Sequence, residues 1–170
     1  MKIALHQMTS TINWKTNIAH MKEAIKEAAS EQAKIYFAPE MSILLDKNRK
    51  RSKGNIMPAN ANYGLEELQK CAHENNIWLH LGSLPILLDE DEPRLANRSY
   101  VIDNEGNIRA SYDKIHLFDV QLSNGEHWKE SSAYRAGEAA VTVKTPIGTL
   151  GLSICYDLRF AELYLSLIHI

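Results

Sequence analysis

Apolar positions along the chain follow two spacings, one typical of buried strands and one typical of amphipathic helices. Short apolar runs at residues 2–7, 34–38 and 77–84 predict three strands. Between these runs, residues 17–31 and 64–75 place apolar side chains on one helical face and charged side chains on the other. The pattern therefore predicts a β-α-β-α-β unit.

Two hairpins are predicted after this unit. Residues 99–102 and 108–111 flank an Asp-Asn-Glu-Gly-Asn turn, and residues 140–144 and 149–154 flank a Thr-Pro-Ile-Gly turn. Antiparallel strands that follow a β-α-β unit are typical of a mixed sheet whose helices cover at least one face. The expected fold class is therefore α/β with mixed sheets.

Composition limits the classes of protein that fit. The 170 residues are 45% hydrophobic and 24% charged, with a formal net charge of −2, as in an ordinary globular domain. The charges are interspersed, so we expect no nucleic-acid partner, and no apolar run approaches the roughly 20 residues of a membrane helix. The basic run at 47–53 and the acidic run at 89–93 are interpreted as solvated loops. Two cysteines make no disulfide framework, which favours a reducing, cytoplasmic setting.

Three reactive side chains each follow a predicted strand. They are Glu40 after residues 34–38, Lys114 after a hairpin strand, and Cys155 at the end of an apolar run. Each one alone has an ordinary structural explanation, such as a core thiol or a surface lysine. Together they could share one pocket, in which the glutamate takes the thiol proton and the lysine stabilises an oxyanion. Cys71 lies within a predicted helix among apolar residues, and we expect it in the core.

Three sequence blocks, in order, resemble the signature blocks of a known family. Residues 37–40 (FAPE), 112–118 (YDKIHLF) and 155–160 (CYDLRF) are similar to those of the nitrilase (carbon–nitrogen hydrolase) superfamily. The segment after the lysine is similar to the branch that acts on deaminated glutathione, and the ω-amidase branch shares much of it. The resemblance implies an α-β-β-α sandwich and no metal or organic cofactor.

The resemblance also implies a role for each matching residue. Glu40 would be the general base and acid, Lys114 would stabilise the transition state, and Cys155 would be the nucleophile. The backbone N–H of Tyr156 would complete the oxyanion site.

Further residues near these blocks leave alternatives open. Many family members carry a second glutamate after the lysine, for which Glu130 is the best match and Glu126 the alternative. Arg159 could pair with a substrate carboxylate or form a structural ion pair with Asp157 or a nearby acid. His116 is close to the lysine, but its neighbours are typical of a structural loop.

The function implied is that of an amidase acting on a small, carboxylate-bearing amide such as deaminated glutathione. It would form a cysteine thioester and release an amine or ammonia. An ω-amidase, an N-carbamoyl amino acid hydrolase and a non-catalytic interaction protein on the same scaffold are the alternatives. The full-length parent would be a homo-oligomer.

The last residues depart from the family pattern. Residues 165–170 do not resemble family sequence and match one reading frame of a sequencing adapter. We therefore expect a partial hydrolase domain at 1–164, a non-native tail at 165–170, and a chain that is poorly soluble or inactive as written. A genuine apolar helix or strand at 165–170 is the alternative.

Overall fold

The structure is a computed structural model that describes residues 1–89, 91–123 and 125–170. Glu90, in the predicted acidic loop, lies outside the described residues. The helices are α1 (Trp14–Ser30), α2 (Arg49–Ser52), α3 (Tyr63–Glu74) and α4 (Ala161–His169). The strands are β1 (Ala4–Leu5), β2 (Ile35–Phe37), β3 (Trp78–His80), β4 (Leu84–Leu87), β5 (Leu95–Ile102), β6 (Ile108–Asp113), β7 (Asp119–Gln121), β8 (His127–Lys129), β9 (Thr142–Thr145) and β10 (Gly148–Gly151).

A six-stranded mixed sheet forms the centre of the fold. Strands β1, β2 and β3 run parallel to one another, as a β-α-β-α-β unit requires. Strand β5 is antiparallel to β3 and β4, and it is also antiparallel to β6. The predicted mixed sheet and the β5–β6 hairpin are confirmed.

Each face of this sheet is covered by a different layer. Helices α1 and α3 bury the apolar faces that their periodicity predicts, and both contribute to the larger core cluster. That cluster also contains Cys71, which is fully buried as expected. A smaller cluster fills the opposite face and joins the sheet to the chain that follows β10 through Val101, Tyr112, Leu152 and Ile154.

Helix α4 lies on the outer side of the β9–β10 hairpin. Leu150 packs toward the central sheet, whereas a Cβ atom at Gly151 would lie 3.0 Å from Leu167 of α4. The Tyr164 hydroxyl also donates a hydrogen bond to Ser153 Oγ at 3.0 Å. The order helix, sheet, sheet, helix confirms the predicted α-β-β-α sandwich. Residues 165–169, predicted to be a non-native tail, belong to α4.

The single strand predicted for residues 77–84 is wrong, because β3 and β4 are separate strands. Gly82 between them has a φ of +62°, a conformation that side-chain-bearing residues rarely adopt. A Cβ atom at this position would lie 2.1 Å from the carbonyl oxygen of Pro39. The break therefore brings the end of β3 against the chain that follows β2.

Three other local predictions need correction. The basic run is not entirely loop, because α2 forms within it with the Asn48 side chain as its N-cap. The antiparallel pair β7–β8 was not predicted. The strand predicted for 149–154 ends at Gly151, so Cys155 does not end a strand but opens the 3₁₀ helix Cys155–Arg159. No helix within the described ranges is both long and apolar enough to cross a membrane.

Candidate active site

Glu40 lies in a tight turn directly after β2. Met41 has a φ of +54°, and its backbone N–H donates a hydrogen bond to Ser83 Oγ at 3.0 Å. The N–H of Ser42 donates to the carbonyl oxygen of Ser83 at 3.0 Å. Both acceptors belong to Ser83, the residue after Gly82. The break between β3 and β4 therefore holds the turn that carries Glu40 in place.

Lys114 follows β6 and is 2% exposed. Its Nζ atom lies 3.3 Å from Oε1 of Glu40 and 2.9 Å from Oε2 of Glu130. Burial by itself would lower the pKa of Lys114, but the hydrogen bond to Glu130 and the two carboxylate charges raise it above its usual value. Lys114 is therefore a buried ammonium group held between two carboxylates.

Cys155 carries the only thiol near these carboxylates in the part of the chain that the structure describes. It is an exposed residue with a φ of +49°, a backbone conformation that costs free energy for a non-glycine residue. Partial burial of the sulfur, followed by the charge of Glu40 and a hydrogen bond to it, raises the pKa of the thiol, while Lys114 opposes that shift. The thiol is therefore neutral at rest and needs a base before it can attack.

Asp157 connects the turn of the thiol to the segment of the lysine, and it is fully buried. Its Oδ1 atom accepts the backbone N–H of His116 at 2.9 Å and lies 2.7 Å from Nδ1 of the same residue. Its Oδ2 atom accepts the Tyr112 hydroxyl at 2.7 Å and the Ile154 N–H at 2.9 Å. These bonds hold the segment that leads to Cys155 against the end of β6.

The structure brings together most of the predicted site residues, but not all. Glu130 meets Lys114, whereas the alternative Glu126 is exposed. Tyr156 makes edge-on ring contacts with Phe118 and Phe160 next to the thiol turn.

The expected ion pair between Arg159 and Asp157 is wrong. That carboxylate is instead paired with His116, Tyr112 and the Ile154 N–H, and the His116 ring also stacks on Phe160 with 3.7 Å between centroids. Arg159 is exposed instead. The interpretation of His116 as part of a structural loop agrees with these contacts.

Sequence reasoning missed three side chains at the site. Asn97 Nδ2 donates a hydrogen bond to Glu40 Oε1 at 2.8 Å. Burial, followed by the charges of Glu130 and Glu40, raises the pKa of Tyr134 to about 12. Asp157 is the third, because the sequence suggested it only as an ion-pair partner of Arg159 and not as the link between the thiol turn and the lysine segment. The one available signal was a polar residue next to apolar strand residues, as for Asn97 in β5.

The sandwich and the Glu-Lys-Cys constellation together define a nitrilase-type protein. The chain belongs to the carbon-nitrogen hydrolase family, whose sequence profile matches residues 2–168.

Named relatives agree with this membership. The chain is 39% identical over 171 residues to the deaminated glutathione amidase of Dictyostelium discoideum, covering 98% of this chain and 59% of the relative. It is 35% identical over 169 residues to the chloroplastic omega-amidase of Arabidopsis thaliana, covering 95% of this chain and 44% of the relative. The crystal structure of the NitFhit protein of C. elegans superposes with a TM-score of 0.84 at 33% identity, covering 97% of this chain and 41% of that one. The chain spans about half the length of the curated relatives that it matches.

Proposed function

We propose that the protein is an amidase that hydrolyses a carbon–nitrogen bond through a cysteine thioester. The observation that carries this proposal is the position of the buried Lys114 ammonium, 3.3 Å from the carboxylate of Glu40, with both groups close enough to the Cys155 thiol to shift its pKa. A base, a nucleophile and a fixed positive charge are the groups that acyl transfer needs.

In the first half-reaction, Glu40 takes the thiol proton as the sulfur of Cys155 attacks the amide carbon. The carbonyl oxygen becomes an oxyanion, which the Lys114 ammonium and the Tyr156 backbone N–H would stabilise. When the carbon–nitrogen bond breaks, the protonated Glu40 gives its proton to the leaving nitrogen. An amine or ammonia departs, and a thioester remains on the sulfur.

In the second half-reaction, Glu40 takes a proton from water as the water oxygen attacks the thioester carbon. The same positive groups stabilise the second oxyanion. The carbon–sulfur bond then breaks, the acid product leaves, and the proton returns from Glu40 to the sulfur. Glu130 would act throughout as a positioning residue, because its carboxylate holds the lysine ammonium in place.

The proposed substrate is a small amide that also carries a carboxylate, such as deaminated glutathione. The name of the Dictyostelium relative supports this choice. The name of the Arabidopsis relative supports ω-amidase activity as the second candidate. An N-carbamoyl amino acid hydrolase or a non-catalytic protein on this scaffold would be a different outcome of the same test.

The compartment, the partners and the oligomeric state are also proposals. We propose a cytoplasmic protein without nucleic-acid or membrane partners, whose full-length parent is a homo-oligomer. The unclustered charge of the sequence and its two unpaired cysteines support the first part. Light scattering on the full-length parent would test the second part, and a monomer would contradict it.

The test is a panel of amides compared by kcat/KM. Deaminated glutathione, α-ketoglutaramate and N-carbamoyl amino acids should be offered to the 170-residue chain and to the open reading frame re-amplified from source DNA. Cys155→Ala should abolish hydrolysis, and Cys71→Ala, which alters the other, fully buried thiol, should retain it. Hydrolysis that survives Cys155→Ala, or no hydrolysis of any amide by the re-amplified protein, would overturn the proposal.

A further inference from the structure

Asn97 lies in β5 and is 1% exposed, and its side chain reaches Glu40 in the turn that follows β2. We propose that Asn97 is a positioning residue that fixes the orientation of the Glu40 carboxylate during proton transfer. This inference rests on the proposed amidase function, since it assigns a task to Asn97 within that same site.

Oε1 of Glu40 accepts hydrogen bonds from two side chains. Asn97 Nδ2 donates to Oε1 of Glu40 at 2.8 Å, and Lys114 Nζ approaches that same oxygen at 3.3 Å. Two donors on one oxygen fix the plane of the carboxylate. Oε2 receives neither of these bonds, which leaves it to exchange protons with the thiol and the substrate.

The backbone of Asn97 also contacts the site. The carbonyl oxygen of Asn97 accepts the backbone N–H of Lys114 at 2.9 Å. One residue thus holds the base through its side chain and the lysine through its main chain. Its neighbour Arg98 pairs with Asp113 at 2.5 Å, which ties β5 to β6 at the same level. The spacing between Glu40 and Lys114 therefore depends on the position of Asn97 in the sheet.

The two ends of the Asn97 amide have different surroundings. The amide nitrogen of Asn97 faces Glu40, whereas its Oδ1 atom is buried without a hydrogen-bond partner among the described residues. A buried acceptor left unpaired costs free energy, so this orientation is retained against a local penalty. The amide therefore presents its donor end to the carboxylate, which holds Glu40 in one orientation.

The test compares Asn97→Asp and Asn97→Ala with Asn62→Ala. Asp is nearly isosteric with Asn but replaces the donor with a second carboxylate, and Ala removes the donor without adding charge. Asn62 is also a buried asparagine, but its Oδ1 atom caps α3 by accepting the Leu65 N–H at 3.0 Å. Asn62→Ala therefore reports the loss of a buried polar side chain whose hydrogen bond goes to Leu65 and not to Glu40.

Asn97→Asp should move the acidic limb of the kcat/KM profile upward by about one pH unit and lower kcat about tenfold near neutral pH, with KM changed less than about twofold. Asn97→Ala should move the limb by less, and Asn62→Ala should not move it. Asn97→Asp should also slow alkylation of Cys155 by iodoacetamide at a given pH, because a second negative charge near Glu40 raises the thiol pKa further.

These results separate the inference from the function on which it rests. If Cys155→Ala abolishes hydrolysis while Asn97→Asp retains the wild-type acidic limb and alkylation rate, Asn97 has no positioning role. If a variant is too unstable for turnover, the alkylation profile of the folded fraction decides, and a wild-type profile in Asn97→Asp again overturns the inference. If no amide is hydrolysed, the proposed function fails, and the alkylation shift alone tests the coupling of Asn97 to Glu40.

Discussion

Oε2 of Glu130 lies 2.9 Å from Nζ of Lys114, and both side chains are largely buried, at 16% and 2% exposure. The same oxygen accepts the backbone N–H of Phe118 at 2.6 Å. Glu130 therefore compensates a buried ammonium and holds the loop after it with a single carboxylate. An uncompensated buried charge is strongly destabilising, so this pair should affect stability as well as activity.

Glu130→Gln should lower the free energy of unfolding by roughly 3 kcal/mol and reduce kcat more than it raises KM. The amide keeps the size of the side chain but removes the charge that faces Lys114. Denaturant unfolding and steady-state kinetics measure the two effects. Glu126→Gln, which alters the exposed alternative, should change both quantities much less, and equal effects of the two variants would contradict the assignment of Glu130.

Changes at Glu40 and Lys114 should shift the thiol pKa of Cys155 in opposite directions. Lys114 lowers that pKa and Glu40 raises it, so Lys114→Gln should raise it and Glu40→Gln should lower it. The pH dependence of iodoacetamide alkylation, mapped to Cys155 by mass spectrometry, measures both shifts. Although its thiol is more easily ionised, Glu40→Gln should be inactive, because it lacks the base. Shifts of the same sign in both variants would refute this electrostatic account.

The sequence predicts those parts of the fold that depend on local pattern. Periodicity places α1, α3 and the parallel strands, and turn residues place the β5–β6 and β9–β10 hairpins. The break at Gly82 could not be predicted, because it depends on the close approach of Pro39 from a segment distant in sequence. The β7–β8 pair is short, and its strands are almost entirely exposed, so it carries no burial pattern.

The residues of the candidate site also divide into those that the sequence predicts and those that only the fold identifies. Glu40, Lys114 and Cys155 could be named from their sequence blocks, and the contacts among the three come from the fold. Asn97 and Asp157 could not be assigned, because an asparagine in a strand or an aspartate after a cysteine has no local signature of its partner. Their hydrogen bonds span 57 and 45 residues of chain, so only the tertiary structure identifies them.

Stability should fall in mild acid because of His80. Burial lowers the pKa of this side chain to about 4, whereas the unfolded chain has the ordinary value of 6.5. As the pH falls, the unfolded state therefore binds a proton at His80 before the folded state does. The stability that the neutral His80 contributes is complete above pH 6.5 and is lost as the pH falls toward 4. Between about pH 7 and about pH 5 the loss is roughly 2 kcal/mol from this group.

Denaturant unfolding of His80→Gln at the two pH values measures that contribution. The variant should lose less stability between them than the wild type does. His73→Gln, which alters an exposed histidine on α3, should keep the wild-type dependence. If His80→Gln and the wild type lose stability in parallel, His80 is not the group responsible.

Asp157→Asn should lower stability and also slow alkylation of Cys155. The substitution keeps the shape of the side chain but replaces one oxygen with a donor. Either the bonds from Tyr112 and Ile154 at Oδ2 or the bond from the His116 N–H at Oδ1 must then be lost. Asp103→Asn is the matched control, since Asp103 is a buried aspartate that accepts backbone N–H groups in the β5–β6 turn. The control variant should lower the stability without slowing the alkylation of Cys155. Equal alkylation rates in the two variants at matched stability would contradict a link between Asp157 and the thiol turn.

Gly82→Ala should displace the turn that carries Glu40. The new Cβ atom would lie 2.1 Å from the carbonyl oxygen of Pro39 and 2.4 Å from that of Ala38, at a φ of +62°. Neither carbonyl can move without shifting the backbone that leads into Glu40, so kcat/KM should fall along with a loss of more than about 1 kcal/mol of stability. Gly54→Ala is the matched control, because a Cβ atom there meets nothing within 4 Å. Thermal unfolding and amide hydrolysis of the two variants measure the difference, and a Gly82→Ala protein as active as Gly54→Ala would show that the approach of Gly82 to Pro39 does not set the position of Glu40.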